Sequence, residues 1–140
     1  MKTTKIAIFS ALTLTAQQML DINDGIDDGV PLLLDLVGTD VNGIKQIFSF
    51  YPPTNATYPC VGFYRLSGQA GSAGGKISKN KNELYSIDCF GTNATVLENI
   101  EMAIDKAMDT LEYTVTTEHM SDIYEDGTKI FHKLLRYRIK

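Results

Sequence analysis

The chain has 140 residues, of which 44% are hydrophobic and 21% are charged, and its formal net charge is -4. This length and apolar content predict one globular domain over residues 1–140 and exclude a disordered chain. The acidic balance argues against nucleic-acid binding. No stretch approaches the roughly 18 consecutive apolar residues that a membrane-spanning helix needs, so we expect no membrane partner.

The N-terminal segment permits two interpretations. A basic start, an apolar run and a small residue at Ala16 have the outline of a secretory signal. Sequons at Asn55 and Asn93, together with two cysteines, would suit a small secreted binding domain, which we keep as the alternative. The apolar series runs past any cleavage point, however, and therefore favours an amphipathic helix over residues 4–20.

Two short segments follow. Residues 21–28 are acidic and contain glycine, but in the register of a calcium-binding loop Gly25 stands where a ligand belongs. We therefore expect a solvated turn and predict no metal site. Pro31 precedes the dense apolar run of residues 32–38, which predicts a short buried helix that Gly38 ends.

Three strands are predicted in the middle of the chain, over residues 44–51, 60–66 and 83–90, from their β-branched and aromatic content. The third strand alternates between apolar and polar residues, which predicts a half-buried strand. Its apolar positions are Tyr85, Ile87 and Cys89, and its polar positions are Ser86 and Asp88.

The segment of residues 67–82 has four glycines, three lysines and no apolar periodicity. Because hairpin loops usually have about 2–5 residues, this segment is predicted to be a long flexible loop. It lacks the arginines and interleaved aromatics typical of phosphate contacts, so an acidic protein neighbour is the better partner. Lys76, Lys79 and Lys81 are the candidate contact residues.

The C-terminal half predicts a helix and a hairpin. Apolar residues at three-and-four spacing indicate a helix over residues 95–111, with Thr95 and Glu98 at capping-box spacing. Strands over residues 112–123 and 129–140 complete the pattern. Consecutive strands cannot be joined by helical crossovers, so we predict an α+β fold with a largely antiparallel sheet of about five strands and the helices packed on one face.

No residue pattern points to catalysis or to a cofactor. His119 and His132 lie in predicted strands without a catalytic motif around them, and solvent exposure is the expectation for both. A small hydrolase or transferase would need a pocket that joins one of them to carboxylates. Cys60 and Cys89 are predicted to be buried free thiols, although neighbouring strands would bring them close.

The order and spacing of these segments resemble the tail-terminator or tail-completion proteins of long-tailed bacteriophages and related phage-like particles. The segments that carry the resemblance are the helical region ending at Leu36-Val37-Gly38, the strand before Pro52-Pro53, Ala56-Thr57-Tyr58-Pro59-Cys60-Val61, the long loop, the helix, and the hairpin ending Arg136-Tyr137-Arg138. The length before Pro31 and the acidic turn depart from the pattern.

The resemblance implies a non-enzymatic structural subunit of the virion, assembled in the bacterial cytoplasm. It implies a homohexameric ring that caps the tail tube, stops its growth and meets the head connector, or a related head-completion or neck role. The implied partners are copies of the chain itself, the tail tube protein and the connector. The loop matches a segment that reaches onto a neighbouring subunit or the tube, and Arg136 and Arg138 on the last strand join the candidate interface residues.

Overall fold

The computed structural model describes residues 4–73 and 76–140, and of residues 68–73 and 76–81 only the backbone. The elements of this part, in chain order, are α1 (Thr4–Leu12), α2 (Ala16–Ile22), α3 (Leu33–Leu36), β1 (Ile47–Ser49), β2 (Cys60–Ala73), β3 (Lys76–Gly91), α4 (Ala94–Asp109), β4 (Val115–Glu125) and β5 (Ile130–Ile139). The α+β prediction is confirmed.

The five strands form one sheet in the order β1-β2-β3-β5-β4. All neighbouring pairs are antiparallel except β1 and β2, which run parallel over Ile47↔Val61 to Ser49↔Phe63. The largely antiparallel prediction is therefore confirmed. β3 is central, because it pairs with β2 on one side and with β5 on the other.

The core lies between one face of this sheet and the helices. α4 contributes the largest share, with one side of the helix buried at three-and-four spacing, as the sequence predicts. α1 adds Ile8 and Leu12, and α3 adds Leu33. The strand residues of the same core include Val61, Phe63, Tyr85, Ile87, Cys89, Leu135, Tyr137 and Ile139.

The prediction of one helix over residues 4–20 is wrong, because two helices occupy this segment. The Thr13 hydroxyl donates to the Phe9 carbonyl oxygen at 2.8 Å, where α1 ends. Thr15 caps α2 in a reciprocal box with Gln18, through bonds of 3.2 Å and 2.9 Å. The threonine hydroxyls thus bond the backbone where a continuous helix would run, and α2 buries none of its residues.

The cap of α4 also differs from the prediction. The Asn93 side chain accepts hydrogen bonds from the backbone N–H groups of Thr95 and Val96, at 2.9 Å and 3.2 Å. Asn93 is therefore the N-cap, and Thr95 lies inside the first turn. Asparagine and threonine both cap helices, so their spacing alone did not decide between them.

The long loop predicted over residues 67–82 is wrong for the backbone that the structure describes. β2 continues to Ala73 and β3 begins at Lys76, and the two strands pair from Cys60↔Phe90 to Ala73↔Lys76 with two register shifts. Antiparallel pairing, once begun by the apolar halves of β2 and β3, extends through small and polar residues because the ladder is made by the backbone. Gly74 and Gly75 lie outside the described residues, and the predicted flexibility stays a prediction.

The half-buried prediction for β3 is wrong, because the polar side chains Ser86 and Asp88 are fully buried. They face away from the helices, where the chain after β1 covers the sheet. Gly62 permits this close approach, since a Cβ there would lie 2.3 Å from the Phe50 carbonyl oxygen and 2.8 Å from Pro52 Cδ. The covered outer face explains why polar residues of a central strand lose contact with water.

Candidate functional site

The β2–β3 hairpin extends beyond the rest of the sheet, and we name its residues 67–82 the arm. β5 pairs with β3 only from Gly91 back to Glu83. In the described strand pairings, the two halves of the arm therefore pair only with each other. The seven steps from Glu83 to Lys76 span about 24 Å at roughly 3.4 Å per residue. An isolated two-stranded hairpin is only marginally stable in water, which favours a partner for the arm.

The predicted contact lysines lie in this arm. The backbone of Lys76, Lys79 and Lys81 belongs to β3, and their side chains lie outside the part of the chain that the structure describes. Residues 67–82 contain three lysines and no acidic residue. The arm is thus cationic on an acidic protein, and the role of its lysines as interface contacts stays a prediction.

The opposite edge of the sheet is acidic. Residues 112–126, which include β4, contain five acidic residues and no lysine or arginine. Almost every residue of β4 is exposed, and its exposed apolar side chains include Met120, Ile123 and Tyr124. A register shift between Thr117 and His119 interrupts the strand. β4 is therefore a partly apolar, acidic edge whose bulge limits uncontrolled strand pairing.

The edge at β1 and β2 carries an exposed aromatic turn. Phe50 and Tyr51 are each 62% exposed, and Lys5 Nζ of α1 lies 4.0 Å from the centre of the Phe50 ring. Phe50 has a positive φ of 77°, which is strained for a residue with a side chain, and its N–H donates to the Phe63 carbonyl oxygen at 2.8 Å. The two edges of the sheet thus present unlike surfaces.

The candidate residues Arg136 and Arg138 lie on the outer face of β5. Arg138 Nε donates to Glu118 at 2.5 Å and its Nη1 donates to Asn82 at 2.9 Å. These bonds tie β3, β5 and β4 together, so Arg138 is already engaged within the fold. Arg136 Nε is buried and makes no hydrogen bond to any described group. An interface role for the two arginines stays a prediction.

A cleft of about 210 Å³ lies where the first turn of α4 meets β4 and β5, and we name it the end cleft. Lys133 is buried beside it, with Nζ 2.7 Å from Asp122 Oδ1 and 3.8 Å from Glu101 Oε1. Burial alone would lower the pKa of Lys133, but the bond to Asp122 and the charges of Glu101 and Glu98 raise it above its usual value. The lining residues are Ala94, Leu97, Glu98, Asp122, Ile123, Tyr124, Phe131, His132 and Lys133.

No sequence motif marks Lys133. A signal was present, because Lys133 is in phase with the buried Leu135 and Tyr137 on the strand. A lysine at a core position needs a carboxylate partner, and the two that it has come from different elements. Because Glu101 and Asp122 are far apart in the sequence, their contact with Lys133 could not be predicted from it.

A buried polar group occupies the outer face of the sheet. Asp88 accepts hydrogen bonds from the Ser86 hydroxyl at 2.7 Å and from the Tyr64 hydroxyl at 3.1 Å. Tyr51 and Tyr64 share a further bond of 3.0 Å between their hydroxyls. Burial first, and then the bond with Tyr51, raises the pKa of Tyr64, so its hydroxyl keeps its proton.

His132 lies beside this group, and the prediction that it faces solvent is wrong. Its side chain is 15% exposed, stacks on Phe90 with ring centres 4.2 Å apart, and has Nε2 3.6 Å from Asp88. His119 is exposed, as predicted. The Ser86 hydroxyl donates to Asp88 and not to His132, so the group lacks the nucleophile–base hydrogen bond of a hydrolase.

Cys60 and Cys89 are both buried and free, as predicted. The strands that carry them are neighbours, but Cys89 pairs in register with Val61 and Cys60 pairs with Phe90. Residues one step apart on a strand point to opposite faces, so the two thiols face opposite sides of the sheet. Burial raises the pKa of Cys60 to about 11 and also raises the pKa of Cys89.

The acidic turn makes local hydrogen bonds. Asp27 accepts from the Gly29 N–H at 2.9 Å, Asp28 accepts from the Val30 N–H at 3.1 Å, and Asp28 also pairs with Lys106 of α4. Within residues 4–73 and 76–140, no group of three or more His, Cys, Asp or Glu is arranged to hold a metal ion. In the same residues, no helix has the length and apolar content needed to span a membrane.

Comparison with known proteins adds no further evidence of function. No protein-family model matches the chain, and no curated protein matches it.

Proposed function

We propose that the chain is a non-enzymatic structural subunit that assembles with copies of itself, head to tail, into a ring. The observation that carries the proposal is the contrast between two surfaces of the sheet. The arm, which β2 and β3 form beyond the pairing with β5, is cationic, whereas the edge at β4 is acidic and partly apolar. Opposite charges on unlike surfaces favour a contact between different faces of identical chains.

A contact of this kind is heterologous, which means that each copy uses one surface to bind the next copy and the other surface to be bound. Repetition gives a closed ring when the rotation between copies closes, and a filament when it does not. The bulge in β4 and the charges along it disfavour open-ended strand pairing. The resemblance implies that the rotation closes, and a closed ring is the assembly that we propose.

We further propose that this ring caps the tail tube of a bacteriophage or phage-like particle and joins it to the head connector. The support is the resemblance in element order, together with a projecting arm in the position of the segment that meets a neighbour or the tube. On the outer face, the Ser86 and Tyr64 hydroxyls are bonded to Asp88, which favours a structural role for these residues over a catalytic one. The proposal of an assembly role is consistent with this.

The test is the oligomeric state of the full chain, by native mass spectrometry and negative-stain microscopy. We expect one discrete oligomer, with six copies, and ring-shaped particles. A strictly monomeric species at high protein concentration would overturn the assembly role. For the tail role, the chain should be found by mass spectrometry in purified tails, and its absence from them would leave the ring but remove the tail function.

A further inference from the structure

We infer that the end cleft is a socket that receives a cationic side chain from the arm of a second copy of this chain. The inference rests on the proposed head-to-tail assembly and names the two surfaces that meet. It draws on the charge, the shape and the position of the cleft.

The carboxylates at the cleft outnumber its ammonium groups. Three carboxylates, those of Glu98, Glu101 and Asp122, act on a single ammonium group, that of Lys133. Asp122 is engaged by Lys133 through one oxygen, yet its side chain is 75% exposed. The remaining negative charge at the rim therefore favours a second cation from outside.

The walls of the cleft suit a long cationic side chain. Ala94 and Leu97 line it with apolar groups, and the rings of Tyr124 and Phe131 lie 4.7 Å apart along it. Lysine and arginine bury their aliphatic stems against such surfaces while the charged end stays near carboxylates, and aromatic ring faces attract cations. The volume of the cleft, about 210 Å³, is space enough for one such side chain.

The helix terminus beside the cleft does not favour an anion. The N–H groups of Thr95 and Val96 already donate to the Asn93 side chain. Glu98 follows in the next turn and adds negative charge at this end of α4. The carboxylates of Glu98 and Asp122 therefore supply acceptors at the cleft, to which a cation is complementary.

The arm of the same molecule points away from its own cleft. Gly91 of β3 pairs with Phe131 at the cleft, and Glu83, eight residues earlier on the strand, is the last residue before the arm. This stretch spans about 27 Å, and the arm continues in the same direction for about 24 Å more, at roughly 3.4 Å per residue. An arm that enters the cleft must therefore come from another copy.

Neutralising variants test this contact. The cleft variant is Glu98→Gln with Asp122→Asn, in which the new amide oxygen at position 122 still accepts from Lys133. The arm variant has Lys76, Lys79 and Lys81 changed to Gln. We expect each variant alone to self-associate at least about tenfold more weakly than the wild type, because each has lost one side of the charge pairing. Sedimentation velocity and native mass spectrometry measure the association.

Mixing the two variants gives the sharper result. The mixture contains one intact combination, the arm of the cleft variant with the cleft of the arm variant, so we expect heterodimers and no larger ring. Matched controls carry the same charge changes elsewhere. They are Asp24→Asn with Asp109→Asn for the cleft, two exposed carboxylates outside the acidic edge, and Lys45, Lys129 and Lys140 changed to Gln for the arm, and both should assemble like the wild type.

The outcomes separate the inference from the proposed function. If the wild type assembles and the folded cleft variant assembles equally well, or if the mixture gives no heterodimer, the socket is wrong and the ring stands. If the wild type itself is monomeric, both are overturned. Thermal unfolding shows that each variant is folded, and Glu98→Gln alone, at an exposed residue, repeats the test should the double change unfold the chain.

Discussion

Asp88 shows how a single residue connects the sheet to the segment that covers it. Its carboxylate lies on the central strand and is held by one hydroxyl from its own strand and one from β2. The Tyr64 hydroxyl continues to Tyr51 in the covering segment. Because buried hydroxyls without acceptors are costly, this group stabilises one arrangement of the outer face.

We predict that Asp88→Ala destabilises the protein. The change leaves the Ser86 and Tyr64 hydroxyls without their acceptor and opens a small cavity, so the free energy of unfolding should fall by about 2–4 kcal/mol. Urea unfolding measures the loss. Asp126→Ala, at an exposed turn residue, is the control and should change stability by less than about 0.5 kcal/mol. A neutral effect of Asp88→Ala would contradict the structural role of the group.

The two cysteines give a second prediction at this scale. Because they face opposite sides of the sheet and burial raises both pKa values, Cys60 to about 11, the native thiols should react slowly with a disulfide reagent at pH 8. Unfolding in guanidinium should release two reactive thiols. A Cys60–Cys89 disulfide in the intact protein would contradict the described register and support the secreted alternative.

At the scale of elements, α4 has the clearest apolar period of the helices, and its N-terminus offers a test of capping. We predict that Asn93→Ala lowers the free energy of unfolding by about 1 kcal/mol, because two backbone donors of the first turn lose their acceptor. Thr95→Ala is the matched change two residues later, inside the first turn, and should cost less than about 0.5 kcal/mol. Equal losses for the two variants would restore the capping box that the sequence suggested.

The arm is the element for which sequence analysis was least adequate. Glycines, serines and lysines in residues 67–82 have low strand propensity, which predicts a loop. The strands nevertheless extend through them because the neighbouring halves of β2 and β3 set the register and the backbone supplies the bonds. Strand propensity reflects side-chain preferences, so it is weak evidence where backbone pairing continues from neighbouring strand residues.

At the scale of the whole molecule, the acidic turn is joined to the helical layer by Asp28 and Lys106. The hydrogen bond with Lys106 first, and then the Val30 N–H, lowers the pKa of Asp28 below its ordinary 3.8. A lowered folded-state pKa contributes stability that is fully present above the unfolded pKa and is lost as the pH falls through the folded pKa. The pair therefore stabilises the fold at neutral pH and ceases to do so in acid.

We predict that Lys106→Met lowers the thermal midpoint at pH 7 and has little effect well below pH 3.8, where Asp28 is protonated in both states. Thermal unfolding followed across this pH range measures the difference. Lys140→Met removes an exposed lysine at the other end of the chain and should change the midpoint little at either pH. A Lys106→Met loss that is the same at both pH values would mean that packing, and not charge, joins the turn to α4.

The sequence by itself determined the α+β class, the helix α4 and the C-terminal hairpin. Each of these depends on a local period, three-and-four for the helix and two for the strands, which a linear pattern contains in full. On β5 the period of two places Phe131, Leu135, Tyr137 and Ile139 on one face and the arginines on the other. The structure buries Leu135, Tyr137 and Ile139 and leaves Phe131 half-buried.

Only the tertiary structure decided what covers each face and which residues meet. The alternation in β3 predicted that Ser86 and Asp88 share a face, but their burial depends on the segment after β1, which crosses there because Gly62 has no side chain. Likewise, the carboxylates around Lys133 come from α4 and β4, separate elements brought together by the strand order. A local period determines the face on which a side chain lies, whereas burial and charge pairing depend on distant chain segments.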